Sequence, residues 1–256
     1  MAIKSMKVLN IMAFHQKELD LQFGDGINIL IGENGMGKTT LLKMIYAALQ
    51  YSIENQTSGK ELIHFFSNNL RDFSQMKYPG KEKDTCYYEI SDGQHFFKDY
   101  LTKKNGIVSE GWKGLNIQSV FIPTTEMLSH SKGFLAMNQK YNMPFDETQI
   151  DIIVNASLPE TKKVSQSCEI ILKEISDVIN GKVVQEDDTF YIVKNDGRKI
   201  DFSLEAEGMR KLGLLWKLIR NGLLEKNSVL LWDEPEANIN PAYLRNIVEI
   251  LLALER

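Results

Sequence analysis

A glycine-rich stretch, Gly32-Glu33-Asn34-Gly35-Met36-Gly37-Lys38-Thr39-Thr40, has the residue types that hold phosphate. Its spacing is G-x-x-x-x-G-K-T, the P-loop pattern. Glycine lets a loop reach left-handed torsions and lets backbone approach a ligand closely. The loop's N–H groups then turn toward phosphate oxygens at the start of a helix. In this pattern Lys38 reaches the β- and γ-phosphates, and the Thr39 hydroxyl ligates Mg²⁺. A second chemical pair lies near the other end, in Ser228-Val-Leu-Leu-Trp-Asp233-Glu234-Pro235. Asp233 at a strand end can hold Mg²⁺ through water, and Glu234 can orient or deprotonate an attacking water.

These groups need elements to position them. Ile27-Asn-Ile-Leu-Ile31 is an apolar run of strand length, expected as a buried strand entering the loop. Thr40-Leu-Leu-Lys-Met-Ile-Tyr-Ala-Ala-Leu49 has helical spacing and good helix formers, so a helix should leave it. The four apolar residues before Asp233 predict a parallel strand with the acid at its C-terminal edge, where ligand sites of α/β sheets lie. Residues 6–23 read as two strands, and 86–101 as a hairpin across Ser91-Asp-Gly-Gln. Asn116–Pro123 reads as a core strand, and about Ser167–Ile179 as a helix. Val183-Val184, Thr189–Val193 and Lys199–Phe202 suggest a meander with turns at Asp187-Asp188 and Asn195-Asp196-Gly197. Residues 51–84 are polar and loop-prone.

No N-K-x-D base-reading motif of a GTPase is present. A small-molecule kinase does not usually place Glu directly after the strand-end Asp. Ile31-Gly-Glu-Asn-Gly-Met-Gly-Lys-Thr-Thr-Leu-Leu-Lys43 and Asp233-Glu-Pro-Glu-Ala-Asn-Ile-Asn-Pro241 resemble the ATP-binding cassette class. The resemblance is to its non-transporter members, the SMC/RecF-like and overcoming-lysogenisation-defect-like ATPases. It implies an α/β P-loop NTPase with an ABC-ATPase-like core (mixed sheet plus antiparallel β subdomain) and an inserted helical lobe. The core would be residues 1–123 and 182–256, and the lobe 124–181. It implies Mg·ATP as ligand, with Gly32 through Thr40 around the phosphates, Thr39 and Asp233 at the metal, and Lys38 and Glu234 in catalysis.

The same resemblance makes Ser203-Leu-Glu-Ala-Glu-Gly208-Met-Arg-Lys-Leu-Gly213 the signature segment. There Glu207 and Gly208, at a helix N-terminus, would face the γ-phosphate of ATP on a partner subunit, arranged head to tail. That helix is expected to bury one broad apolar face, with Met209, Leu212, Leu215, Trp216, Ile219 and Leu223. The signature serine is replaced by Ala206. Glu236 to Pro241 resembles the dimer-facing D-loop, and Pro241 suits a first helical position. In the family a sensor Gln follows a core strand, and Phe121-Ile-Pro-Thr-Thr-Glu126 occupies that place without one. Thr124, Glu126 and, within the strand, Gln118 stand in that region. The family's switch histidine follows the acidic strand, whereas His15, His64, His95 and His130 all precede it. The expectation is that this 256-residue form binds Mg·ATP and turns over slowly.

Composition fits a globular chain, with 43% hydrophobic and 25% charged residues. A net charge of −4 argues against a protein that coats nucleic acid, without excluding a local basic groove. Lys132, Lys140, Lys162, Lys163 and Lys173 are such a local excess, read as a solvated face. No apolar run approaches the ~20 residues of a membrane span. No signal peptide is visible, and two cysteines at no metal spacing suit a reducing cytoplasm. Two functions stay open. One is an ATPase whose dimer engagement drives a partner, either DNA or a toxin or nuclease in phage defence. The other is an ATP-gated interaction module with little or no hydrolysis.

Overall fold

Alternation along the first strand sets the first sheet. The computed structural model describes residues 3–15, 17–53, 62–66, 70, 73–80, 85–101, 107–141 and 143–255. Strand β1 (Ser5–Leu9) buries Met6 and Val8 and leaves Ser5, Lys7 and Leu9 half-buried. Strand β2 (Leu19–Gln22) runs antiparallel beside it, with Leu21 opposite Met6. Helices α1 (Lys38–Tyr51) and α2 (Leu62–Phe66) follow. Strands β3 (Cys86–Ser91), β4 (Phe96–Leu101) and β5 (Ile107–Gly111) complete a sheet of order β2-β1-β3-β4-β5, antiparallel throughout. The hairpin of 86–101 is thus present, and two strands lie in the 6–23 span, but the alternating Val8–Phe14 run is strand only to Leu9: Asn10 and Met12 take positive φ and turn the chain. β5 was not legible, and part of the 51–84 loop-prone stretch lies outside the described residues.

The core of this first unit (1–119 with 144–147) is aromatic. Tyr51 at the end of α1 lies 5.2 Å from Phe97 of β4, which also meets Tyr88 at 5.8 Å. The buried Tyr88 hydroxyl donates to Asp99 at 2.6 Å. Burial, together with the Asp99 charge, raises the phenol well above its usual pKa. Gln50, buried on α1, donates to the Ser119 hydroxyl at 3.2 Å.

The second unit (120–143 with 148–256) contains β6 (Ser119–Ile122) from Val120 onward, α3 (Phe134–Tyr141) and α4 (Glu147–Ser157). It continues with α5 (Gln166–Ile179), β7 (Gly181–Glu186), β8 (Thr189–Lys194) and β9 (Lys199–Asp201). Helix α6 (Glu207–Arg220), β10 (Val229–Trp232) and α7 (Leu244–Glu255) end it. The predicted meander is an antiparallel β7-β8-β9 sheet, while β10 pairs with β6. Ser165 caps α5 through the Cys168 N–H, and Asn180 closes it in the left-handed region. The Trp216 indole donates to the Ser176 hydroxyl at 3.0 Å, joining α6 to α5.

Two local expectations are corrected. Ile27–Ile31 is no strand: Ile27, Ile29 and Ile31 are 44%, 77% and 91% exposed. An apolar β-branched run becomes a strand only where a neighbour completes its hydrogen-bond ladder, and no sheet among the described residues includes it. Helix α6 does not bury one face. Every residue from Lys211 to Ile219 is buried, two lysines included, because elements of its own unit pack around it.

Candidate nucleotide site

The loop from Gly32 to Met36 is exposed and leads directly into α1. Its three glycines serve different ends. Gly35 sits at φ 82° with open space where a Cβ would stand, so only torsion demands glycine there. Gly37 sits at φ 89°, and a Cβ would come within 2.5 Å of the Phe14 ring, so torsion and space both demand it. Gly32 has neither constraint from the protein, which leaves its small size free to serve a close-lying ligand. Gly37 is also the N-cap of α1 and offers no side-chain oxygen. The first turn of α1 therefore lacks a side-chain cap and has no acid in it, the condition under which helix N–H groups and dipole favour an anion. The Lys38 ammonium folds back over the loop, donating to the Gly32 and Glu33 carbonyls at 2.7 and 3.0 Å.

The turn beneath this loop escaped sequence reading. Asn10 and Met12 hold positive φ of 57° and 46°, and Ile11 and Phe14 exchange backbone hydrogen bonds of 3.1 and 2.9 Å. The tight turn presents Phe14 to Gly37 and the Met12 sulfur to the Thr40 hydroxyl at 3.9 Å. The available signal, an aromatic before the glycine loop, is too common to act on.

In the second unit Asp233 follows β10 and is buried, its N–H donating to the Ile122 carbonyl at 3.0 Å. The ends of β6 and β10 therefore meet at the acid. The Thr124 hydroxyl donates to Asp233 Oδ2 at 3.0 Å, so Thr124 occupies the acid's immediate surroundings. Glu126 is turned elsewhere. It is buried, accepts from the Leu128 and Ser129 N–H groups, and pairs with Arg210 of α6 at 3.5 Å.

Glu234 is exposed and holds φ 48°, a left-handed torsion for a residue with a side chain. Its carbonyl accepts from the Ala237 N–H at 3.0 Å, closing a turn. Beneath that turn lies Lys211, 1% exposed, whose ammonium donates to the Ala237 carbonyl at 2.7 Å and reaches the Glu234 carbonyl at 3.4 Å. Burial lowers the Lys211 pKa, while the carboxylates of Glu207, Glu236, Glu234 and Asp233 act to raise it.

The segment Ser203–Gly213 contains the start of α6, the helix expected there. Ala206 is its N-cap without a side-chain hydrogen bond. Glu207 takes the first turn, where an acid suits the dipole, and accepts from the Asn238 amide at 3.1 Å. Gly208 is buried against Ile239, whose Cα would lie 3.5 Å from an added Cβ. The D-loop-like stretch thus packs on the signature start. Asn240 caps a short 3-10 turn, Pro241–Tyr243, that runs into α7. Among the described residues no group of three or more His, Cys, Asp or Glu could hold a metal ion.

The AAA domain family matches residues 5–226. The chain belongs to that family and resembles its SMC/RecF-like, ABC-type members. Among its SMC/RecF-like relatives, the DNA replication and repair protein RecF of Streptococcus uberis is 29% identical over 228 residues, 87% of this chain and 59% of that protein. RecF of Clostridium kluyveri is 30% identical over 122 residues, 47% of this chain and 28% of that protein. The chain therefore spans at most about three-fifths of these curated relatives. The SMC head domain from Thermotoga maritima superposes with a TM-score of 0.54 at 16% identity, covering 100% of this chain and 86% of that one. That likeness is of fold, and it bears out the ABC-ATPase-like core read from the two motifs. No helix among the described residues is long and apolar enough to cross a membrane.

Proposed function

We propose that this chain is a cytoplasmic, DNA-maintenance ATPase whose ATP-dependent head-to-tail dimerisation is coupled to DNA. The observation that supports it best is the loop before α1: left-handed Gly35 and Gly37, an uncapped helix start, and Lys38 folded over the loop. That set fits a triphosphate. Lys38 would exchange its two carbonyl contacts for the β- and γ-phosphates, and the α1 N–H groups would hold the phosphate oxygens. Thr39 and Asp233 would hold Mg²⁺, with Thr124 fixing the Asp233 carboxylate. The ion would neutralise charge on the phosphates. Exposed Glu234 would orient and deprotonate the water. The start of α6, with Glu207 and Gly208, would face the γ-phosphate of the second copy. The names of the RecF relatives favour DNA over a toxin or nuclease partner in phage defence.

One observation favours the second reading, an ATP-gated module with little turnover. The N-cap of α6 is Ala206, which offers the partner's phosphate no hydroxyl. Single-turnover hydrolysis of labelled ATP decides between them. Under the first reading the parent cleaves ATP, and Glu234→Gln binds it but hydrolyses it about a hundredfold more slowly or worse, accumulating an ATP-bound dimer. Hydrolysis by Glu234→Gln at the parental rate sinks the role of Glu234. ATP-dependent dimerisation of the parent without cleavage selects the module.

A further inference from the structure

We infer that Lys211 is a positioning residue: from inside α6 it fixes the backbone turn Glu234–Ala237 and so aims the Glu234 carboxylate. The link to hydrolysis rests on the role given to Glu234 above; the hold on the turn does not. Three observations meet here. Glu234 keeps a left-handed torsion without being glycine, at φ 48°. Such a torsion is unfavourable for a residue with a Cβ and persists only where surrounding contacts impose it. The contacts are few and directional. The Ala237 N–H bonds back to the Glu234 carbonyl at 3.0 Å, and the Lys211 ammonium bonds the Ala237 carbonyl at 2.7 Å while lying 3.4 Å from that of Glu234. One cation thus touches both ends of the turn.

Its placement is itself uneconomical for the fold. A lysine 1% exposed is followed on its helix by the buried Leu212, Leu214 and Leu215. An ammonium withdrawn from water is unfavourable unless its donors are used and opposite charge lies near. Here its donors meet main-chain carbonyls, not a carboxylate partner. Core packing alone would be served by Leu or Met. What only a flexible, cationic donor supplies is a hold on two carbonyls of a turn that carries a strained acid.

The arrangement also places this hold on a meaningful helix. Lys211 is one turn from Gly208, at the start of α6, and its neighbour Arg210 pairs with Glu126 of the loop that brings Thr124 to Asp233. A shift of α6 along its axis would move the Glu234 turn and the Glu126 loop together. Under the proposed head-to-tail dimer, contact at the α6 start would thus be felt by the acid of the same chain.

The test is Lys211→Met, similar in length and without donors, with Lys211→Gln keeping one donor group. Amide hydrogen exchange and ATP kinetics are measured on both and on the parent. The expected result for Lys211→Met is about tenfold faster exchange at Ala237, unchanged exchange at Leu214–Leu218, and kcat about tenfold lower with KM for ATP within about twofold. Lys211→Gln should fall between. Unchanged exchange at Ala237 overturns the inference. So does loss of protection throughout α6, which would make Lys211 a general scaffold residue. Unchanged kcat despite a loosened turn overturns the positioning role. If the parent does not cleave ATP, the role of Glu234 fails, and exchange at Ala237 still decides whether Lys211 holds the turn.

Discussion

The glycine loop and the acidic turn solve one problem in opposite ways. Both need backbone in the left-handed region. The loop obtains it from residue type, with glycine at φ 82° and 89°. The turn obtains it from surroundings, with Glu234 at 48° and Asn238 at 59° held by Lys211, Ala237 and the Glu207 carboxylate. Glycine cannot supply chemistry, and a phosphate cradle needs none from its side chains. An acid that must act on water cannot be glycine, so its torsion has to be imposed from outside. The loop's geometry is therefore written locally, and the turn's is written in a helix more than twenty residues away.

The comparison can be broken at either end. The largest effect is expected at the loop's one charged group: Lys38→Ala should lose measurable ATP binding by calorimetry while melting as the parent does, since Lys38 contributes charge and not core packing. Gly37→Ala comes next. Both the torsion and the 2.5 Å approach to Phe14 oppose it, so ATP affinity should fall and stability should drop by about 2–3 kcal/mol in urea unfolding. Gly32→Ala is the control with space to spare, and should leave stability unchanged. On the acidic side, Thr124→Val should weaken Mg²⁺-dependent turnover by about tenfold to a hundredfold, the worth of one hydrogen bond to a charged group. The smallest effect has the opposite sign. Glu234→Gly should raise stability by up to about 1 kcal/mol, seen as a higher Tm, while ending hydrolysis. A lower Tm would mean that the turn holds Glu234 without strain.

Legibility in the sequence divides along the same line. Motifs whose geometry is local were readable: the glycine loop and α1, the strand ending at Asp233, the start of α6, Pro241 after its Asn240 cap. Elements with period-two patterns and clear turns were readable too, namely β1–β4 and the β7-β8-β9 meander. What failed depended on partners distant in sequence. Ile27–Ile31 has strand composition, yet no sheet among the described residues takes it in. Helix α6 showed an apolar face, and only packing reveals Lys211 and Lys217 as buried. Thr124 and Glu126 were interchangeable candidates in the sequence. The fold separates them, giving Thr124 to Asp233 and Glu126 to Arg210.

The short segment 144–147 belongs with the first unit although the chain on both sides of it belongs to the second. Asp146 in it forms an ion pair of 2.7 Å with Lys43 of α1, both side chains nearly covered. The polypeptide therefore passes between units at 119/120, at 143/144 and again at 147/148. No single cut of the chain yields the first unit whole. A fragment ending at Ser119 would keep the glycine loop and α1 but strip Lys43 of its carboxylate, leaving a nearly covered cation unmatched on the helix that the loop starts. A piece of the first unit is thus made only after part of the second, and the nucleotide loop's supporting helix gains its carboxylate only once translation has passed residue 146.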